Sequence, residues 1–222
     1  MIFLCLGNSL TAGYPGYYPA PDGISQGYGN QQSQYEYWLK DFCFNHLEKN
    51  LGALDDEIIN NLIFINKGVP GELTRNLLRR INYDLVNSKP KPNFSIILGG
   101  TNDLGWSLSN ESILKNIEEL HSISRSCNIL SIGGTIPPIR MEQLYDSYNK
   151  KKCELNKKLI SFFNRNYIPF ADLYSGMIDD KGNLYEKFAY FDGLHFSVEG
   201  YKQMAKILFT DVIKLIIEKK YF

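Results

Sequence analysis

The sequence predicts an α/β protein: a flavodoxin-like three-layer α/β/α sandwich built on a central five-stranded parallel sheet. Three observations carry this expectation. Five short apolar, partly β-branched runs recur along the 222 residues, segments of helical period separate them, and polar clusters containing Gly follow several of the runs. Strands alternating with amphipathic helices make βαβ units, whose crossovers cover both faces of a parallel sheet.

The first strand is expected at Ile2–Leu6. A helical stripe of Leu39, Phe42, Cys43, His46 and Leu47 follows, then a second strand at Leu62–Ile65. Leu73, Leu77, Ile81 and Leu85 repeat every four residues and predict the next helix, leading to a strand at Phe94–Leu98. Ile113, Ile117 and Leu120 precede a strand at Ile129–Ile132, and Tyr148, Leu155, Leu159 and Phe162 precede one at Ile168–Ala171. The last stripe is Tyr201, Ala205, Leu208, Val212 and Leu215, opening after Ser197 as N-cap. Two stretches stand outside this rhythm. Tyr14–Gln34, rich in Gly, Pro, Tyr and Gln, reads as a long ordered loop, and a second loop runs from Pro137 to Gln143. No repeat or linker divides the chain, so residues 1–222 are expected to form a single domain.

Charge and composition narrow the function. Lys plus Arg equals Asp plus Glu, 24 each, which gives no electrostatic grip on nucleic acid or an anionic membrane. Ile2–Leu6 is too short for a signal h-region and has no basic residues before it, and Val212–Ile217 is far short of a membrane span. The expectation is a cytoplasmic protein with no membrane span. Cys5, Cys43, Cys127 and Cys153 have no metal-ligand spacing and are expected to be buried thiols. Neither a metal nor another cofactor is expected.

The chemistry gathers after the strands. Gly7-Asn8-Ser9-Leu10-Thr11 follows the first, Gly68-Val69-Pro70-Gly71 the second, Gly99-Gly100-Thr101-Asn102-Asp103 the third, and Asp192-Gly193-Leu194-His195 precedes the last helix. In an open parallel sheet such loops leave from the carboxyl ends and meet at one crevice. Acyl transfer needs a nucleophile, a base, a group that orients the base, and donors for the oxyanion. Ser9 supplies a hydroxyl on a sharp turn, His195 a base, and Asp192 a carboxylate three residues away that can fix the tautomer. The N–H groups of Ser9 and Gly71 and the side-chain amide of Asn102 are the candidate oxyanion donors. Leu10, Tyr14 and Trp106 are the candidate substrate contacts.

These blocks resemble the SGNH (GDSL-type) hydrolases. Gly7–Thr11 is similar to the GDSL block, Gly71 to the second-block glycine, Gly100–Asp103 to the GxND block and Asp192–His195 to the DxxH block. Ile136-Pro137-Pro138, Asn156, Asp172-Leu173 and Gly200-Tyr201 resemble the family's bacterial esterase branch. The resemblance implies a Ser-His-Asp triad of Ser9, His195 and Asp192, an oxyanion hole lined by Ser9, Gly71 and Asn102, no metal, and hydrolysis of small carboxylic esters, thioesters or lysophospholipids. Asn8 departs from the family aspartate, keeping a hydrogen-bonding oxygen but losing the charge.

Plainer roles compete for the other residues. His46 is expected to be a core or half-buried histidine and His121 a surface one. Asp103 is expected to cap a helix or brace a loop. Tyr37 and Trp38 are assigned to packing, and Tyr14, Tyr17 and Tyr18 to a pocket or lid. Two other functions stay open: an acyltransferase with the same triad, and a small-molecule binding module in which Gly7–Thr11 cradles a phosphate. The oligomeric state is not legible.

Overall fold

The computed structural model describes residues 1–52, 56–140 and 145–221. Part of the second expected loop, residues 141–143, lies outside them. Five parallel strands form the sheet: β1 (Ile2–Gly7), β4 (Ile63–Gly68), β5 (Phe94–Ile97), β6 (Leu130–Gly134) and β7 (Phe170–Ala171). Their spatial order is β4-β1-β5-β6-β7, so the chain winds outward in both directions from the β1/β5 pair. That pair is the switch point at which doubly wound sheets open a crevice. A two-stranded antiparallel ribbon, β2 (Tyr17–Tyr18) with β3 (Tyr28–Gly29), gives order to the expected Tyr14–Gln34 loop.

Alternation along β1 divides the core. Phe3 and Cys5 face the layer of α2 (Tyr35–Leu51) and α9 (Val198–Leu208), packing with Leu39, Cys43, Tyr201 and Leu208. Leu4 and Leu6 face the other layer, with Leu77 and Ile81 of α4 (Thr74–Ile81) and Leu120 of α6 (Asn110–Ser126). On that side α7 (Tyr145–Arg165) adds Leu155, Leu159 and Phe163 against Ile113 and Ile117. Short helices α1 (Ser9–Ala12), α3 (Asp56–Asn61), α5 (Thr101–Gly105), α8 (Leu173–Met177) and α10 (Lys214–Tyr221) complete the set described.

The expected strands are all present, with shifted ends. β4 runs on through Asn66, Lys67 and Gly68 because these pair in register with Cys5, Leu6 and Gly7, and a ladder tolerates polar residues that an apolar run would not show. Three expectations are corrected. Leu215 is 56% exposed, while Val212, Ile213 and Ile217 are buried. A π-helical turn at Phe209–Ile213 inserts extra residues into the turn and rotates the apolar stripe away from Leu215. His121 is buried, because it extends the Ile113–Ile117 face by a further four residues and meets Phe162 and Phe163 edge-on. Its Nδ1 is 2.8 Å from Ser131 Oγ. Of the four cysteines, Cys5 and Cys43 are buried, but Cys127 and Cys153 lie nearer the surface and are only half-buried.

His46 is half-buried as expected, with Nε2 3.1 Å from Glu218. Among the described residues no helix is long and apolar enough to cross a membrane. Nor do any described His, Cys, Asp or Glu side chains form a group of three or more placed to hold a metal ion.

Candidate active site

Ser9 opens α1 two residues beyond the end of β1. Asn8 caps this turn: its Oδ1 accepts the Leu10 N–H at 3.0 Å. The uncharged amide therefore does the bracing for which its oxygen suffices. As the first helical residue, Ser9 has no preceding helical carbonyl to accept its own N–H. The turn sits hard against the end of β4. A Cβ on Gly68 would lie 2.0 Å from the Ala12 nitrogen, so only glycine allows this approach.

Asp192-Gly193-Leu194-His195 brings its base to the same place from the far end of the chain. Asp192 Oδ1 accepts the N–H groups of Leu194 and His195, both at 2.9 Å, which folds the segment into a tight turn. Asp192 Oδ2 lies 2.6 Å from His195 Nδ1, and His195 Nε2 lies 3.0 Å from Ser9 Oγ. A proton on Nδ1, held by the carboxylate, leaves Nε2 to accept from the Ser9 hydroxyl. Burial of the Asp192 carboxyl opposes its ionisation. Hydrogen bonds from the His195 ring, the His195 N–H and the Leu194 N–H outweigh this and hold its pKa below the ordinary aspartate value. Ser9 and His195 are both buried, so little water competes for these contacts. The arrangement can lower the barrier to deprotonating Ser9 as it attacks an electrophile.

The candidate oxyanion donors come from two more strand ends. Gly71 is exposed and has φ +81°, with nothing within 4 Å of where a Cβ would stand. No carbonyl among the described residues accepts its N–H. Asn102, in the first turn of α5, donates from Nδ2 to the Glu72 carbonyl at 2.9 Å. An amide nitrogen carries two hydrogens, so one remains for a ligand. Asp103 is buried and accepts from the Thr74 N–H at 3.1 and 3.0 Å and from Thr74 Oγ1 at 2.6 Å. It is a cap, as expected, but of α4 and not of its own helix. Burial raises the Asp103 pKa against these Thr74 hydrogen bonds.

The candidate substrate contacts separate. The Tyr14 ring packs edge-on against the His195 imidazole, centroids 4.8 Å apart. Leu10 is buried and lines a cavity of about 20 Å³ with Thr101, Ile136, Pro137 and Met204, directly beside the Ser9 turn. Trp106 ends α5 with 75% of its surface exposed and lines none of the cavities described. Tyr17 is buried within the ribbon, its hydroxyl accepting the Gly27 N–H at 2.8 Å. Trp38 does pack, donating from Nε1 to the Gln32 carbonyl. Tyr37 is 38% exposed. A larger cavity of about 320 Å³, lined by Tyr17, Gln34 and Asn66 among others, lies between the ribbon and edge strand β4, away from Ser9 and His195.

Several bracing residues become visible only in three dimensions. Asn156 clamps the strand-end loop at Ile136, accepting its N–H at 2.8 Å and donating to its carbonyl at 2.9 Å. Asp172 accepts from Thr135 Oγ1 and caps α8. The Tyr201 hydroxyl donates to the Tyr14 carbonyl at 2.6 Å. Their positions had marked them as resembling the esterase branch, but nothing local showed what each would hold.

Comparison with known proteins identifies the family and the fold. The model of the GDSL-like lipase/acylhydrolase family matches residues 5–203. No curated protein sequence matches the chain. Among solved structures, a GDSL-like lipase from Bacteroides thetaiotaomicron superposes with a TM-score of 0.68 at 21% identity, covering 99% of this chain and 88% of its own. A lipase/acylhydrolase from Enterococcus faecalis gives 0.67 at 22% identity, covering 98% and 96%. A point variant of a Geobacillus acetyl-xylooligosaccharide esterase gives 0.73 at 19% identity, covering 95% and 93%. At these identities the likeness is one of fold. The family match extends from β1 into the last long helix and takes in every cluster at the crevice, and the chain belongs to the GDSL-like lipase/acylhydrolase family.

Proposed function

We propose that this family hydrolase is a serine esterase, a single domain that cleaves small carboxylic esters through an acyl-enzyme on Ser9. The observation that carries the reading is the continuous hydrogen-bonded line from Ser9 Oγ to His195 Nε2 at 3.0 Å and from His195 Nδ1 to Asp192 Oδ2 at 2.6 Å. Ser9 Oγ attacks the ester carbonyl while His195 Nε2 takes its proton. The negative charge that forms on the carbonyl oxygen is met by the N–H groups of Ser9 and Gly71 and the free N–H of Asn102. His195 then protonates the departing alkoxide, and the alcohol leaves. Water, deprotonated by His195, attacks the acyl group and frees Ser9. Asp192 stays ionised throughout and steadies the imidazolium.

The substrate class we favour is a short acyl ester, acetyl first. A cavity of about 20 Å³ beside Asn8 and Leu10 has room on the order of one water molecule, or a methyl group. The likeness in fold to an acetyl-xylooligosaccharide esterase supports the same side of the choice. An alcohol could replace water as acceptor in the same site, and product analysis separates the two.

The test is covalent. An activated phosphonate should add one label to the wild-type protein, mapped to Ser9 by peptide mass. Ser9→Ala should take no label and hydrolyse no ester, while keeping its melting temperature. A label elsewhere, or near-wild-type activity in Ser9→Ala, would overturn the assignment.

A further inference from the structure

We propose that Arg80 is the positioning residue of the oxyanion hole, an inference that rests on the esterase reading of Ser9. Arg80 lies on α4 with only 16% of its side chain exposed. Its guanidinium reaches three separate parts of the crevice wall. Nη2 donates to the Gly7 carbonyl and to the Lys67 carbonyl, both at 2.9 Å, and so ties the end of β1 to the end of β4. Nε donates to Glu72 Oε2 at 2.6 Å, holding the residue that follows Gly71. Nη1 meets Asp84 one helical turn on, which fixes the plane of the fork.

Apart from Asp84, the contacts fall on segments that carry the proposed oxyanion donors. Gly7 is two residues before Ser9, whose N–H is the first donor. Lys67 and Glu72 bracket the Gly68–Gly71 segment, whose terminal N–H is the second. The Glu72 carbonyl accepts the Asn102 amide and so holds the third. One planar cation therefore sets the separations among donors drawn from three strand ends. A plain stabilising ion pair would need only the i,i+4 link to Asp84. One nitrogen, Nη2, serves both backbone carbonyls while Nε holds Glu72 and Nη1 meets Asp84, and a lysine ammonium, a single point of donors, cannot keep all of these at once. Its neighbour Arg79 is exposed and serves as an internal contrast.

Oxyanion donors act only if they lie where charge develops, and a displacement near 1 Å costs on the order of 10² in rate. Removal of the Arg80 fork should thus reduce kcat and leave KM nearly alone. The experiment compares wild type, Arg80→Lys, Arg80→Ala and Arg79→Ala on p-nitrophenyl acetate, well below each variant's melting temperature. Arg80→Lys is expected to lose about 10- to 100-fold in kcat with KM within about threefold of wild type, on the scale of a displaced donor. Arg79→Ala should match wild type. Methylguanidinium at low millimolar concentration should restore part of the kcat of Arg80→Ala and leave that of Arg79→Ala unchanged. The proposal is overturned if Arg80→Lys keeps kcat within twofold of wild type. It is equally overturned if KM rises in step with the fall in kcat, or if a folded Arg80→Ala shows no rescue. Should Arg80→Ala fail to fold, the kcat and KM of Arg80→Lys decide. Failure of the wild type to take phosphonate on Ser9 would instead bring down the esterase reading, so the two failures are distinguishable.

Discussion

Tyr14 and His195 are joined edge to face, 4.8 Å between ring centroids at an interplanar angle of 65°, and the Tyr14 backbone is itself held by the Tyr201 hydroxyl. The imidazole is thus fixed by Asp192 through its Nδ1 and by an aromatic ring through its face or edge. Tyr14→Ala should remove the second restraint. An aromatic pair is worth about 0.5–1.5 kcal/mol, so kcat should fall by about tenfold at most, with phosphonate labelling of Ser9 retained but slower. Tyr14→Phe keeps the ring and should stay close to wild type. Steady-state kinetics on the two variants checks this.

Asn102 has two tasks that one substitution removes together. Its amide is a candidate oxyanion donor, and the same nitrogen ties Glu72, and through it the Gly71 turn, to α5. Asn102→Ala should lower kcat on the order of 10²–10³ and change KM far less. A change in KM alone would make Asn102 a binding or loop-bracing residue.

Asp103 supplies the complementary control. It touches Thr74 and no reacting atom, yet its removal leaves the N-terminus of α4 without its cap. Asp103→Ala should cost roughly 1–3 kcal/mol in stability, because buried Thr74 donors lose their acceptor. Urea denaturation of the purified variant measures it.

His121 makes stability depend on acid. Burial, assisted by the nearby Arg125 charge, pushes its pKa down to about 3. The unfolded chain regains an ordinary histidine near 6.5. Between these values the unfolded state binds the extra proton, so stability present above about pH 6.5 is lost as pH falls toward about 3. At pH 4.5 the loss from this residue should be roughly 3 kcal/mol relative to pH 8. His121→Phe, which keeps an aromatic ring against Phe162 and Phe163, should flatten that part of the profile. Urea midpoints for both proteins at the two pH values give the difference directly.

The cavity proposed for the acyl group can be enlarged without touching Ser9 or His195. Met204 and Leu10 line it together, and Met204 belongs to α9 behind the crevice. Met204→Ala should move the preference from acetyl toward butyryl esters while leaving phosphonate labelling intact. An unchanged chain-length profile would place the acyl group elsewhere in the crevice.

Local sequence determined the strands, the helices and the four polar clusters. Apolar runs and four-residue stripes are properties of neighbouring residues, and alternating elements leave few ways to cover a parallel sheet. Ser9, Gly71 and Asn102 were legible as candidates because each sits in a short cluster just after β1, β4 or β5, and Asp192 and His195 because their cluster, well beyond β7, stands just ahead of α9. Tertiary structure decided what those clusters lean on. Arg80 meets a carbonyl 73 residues away, Asp103 caps a helix 29 residues before it, and Tyr201 holds a tyrosine 187 residues earlier. No periodicity encodes such pairs, because they arise only when separate loops converge. The burial of His121 and the outward turn of Leu215 belong there too. One depends on which helix packs over the α6 face, the other on a π turn that breaks the helical phase.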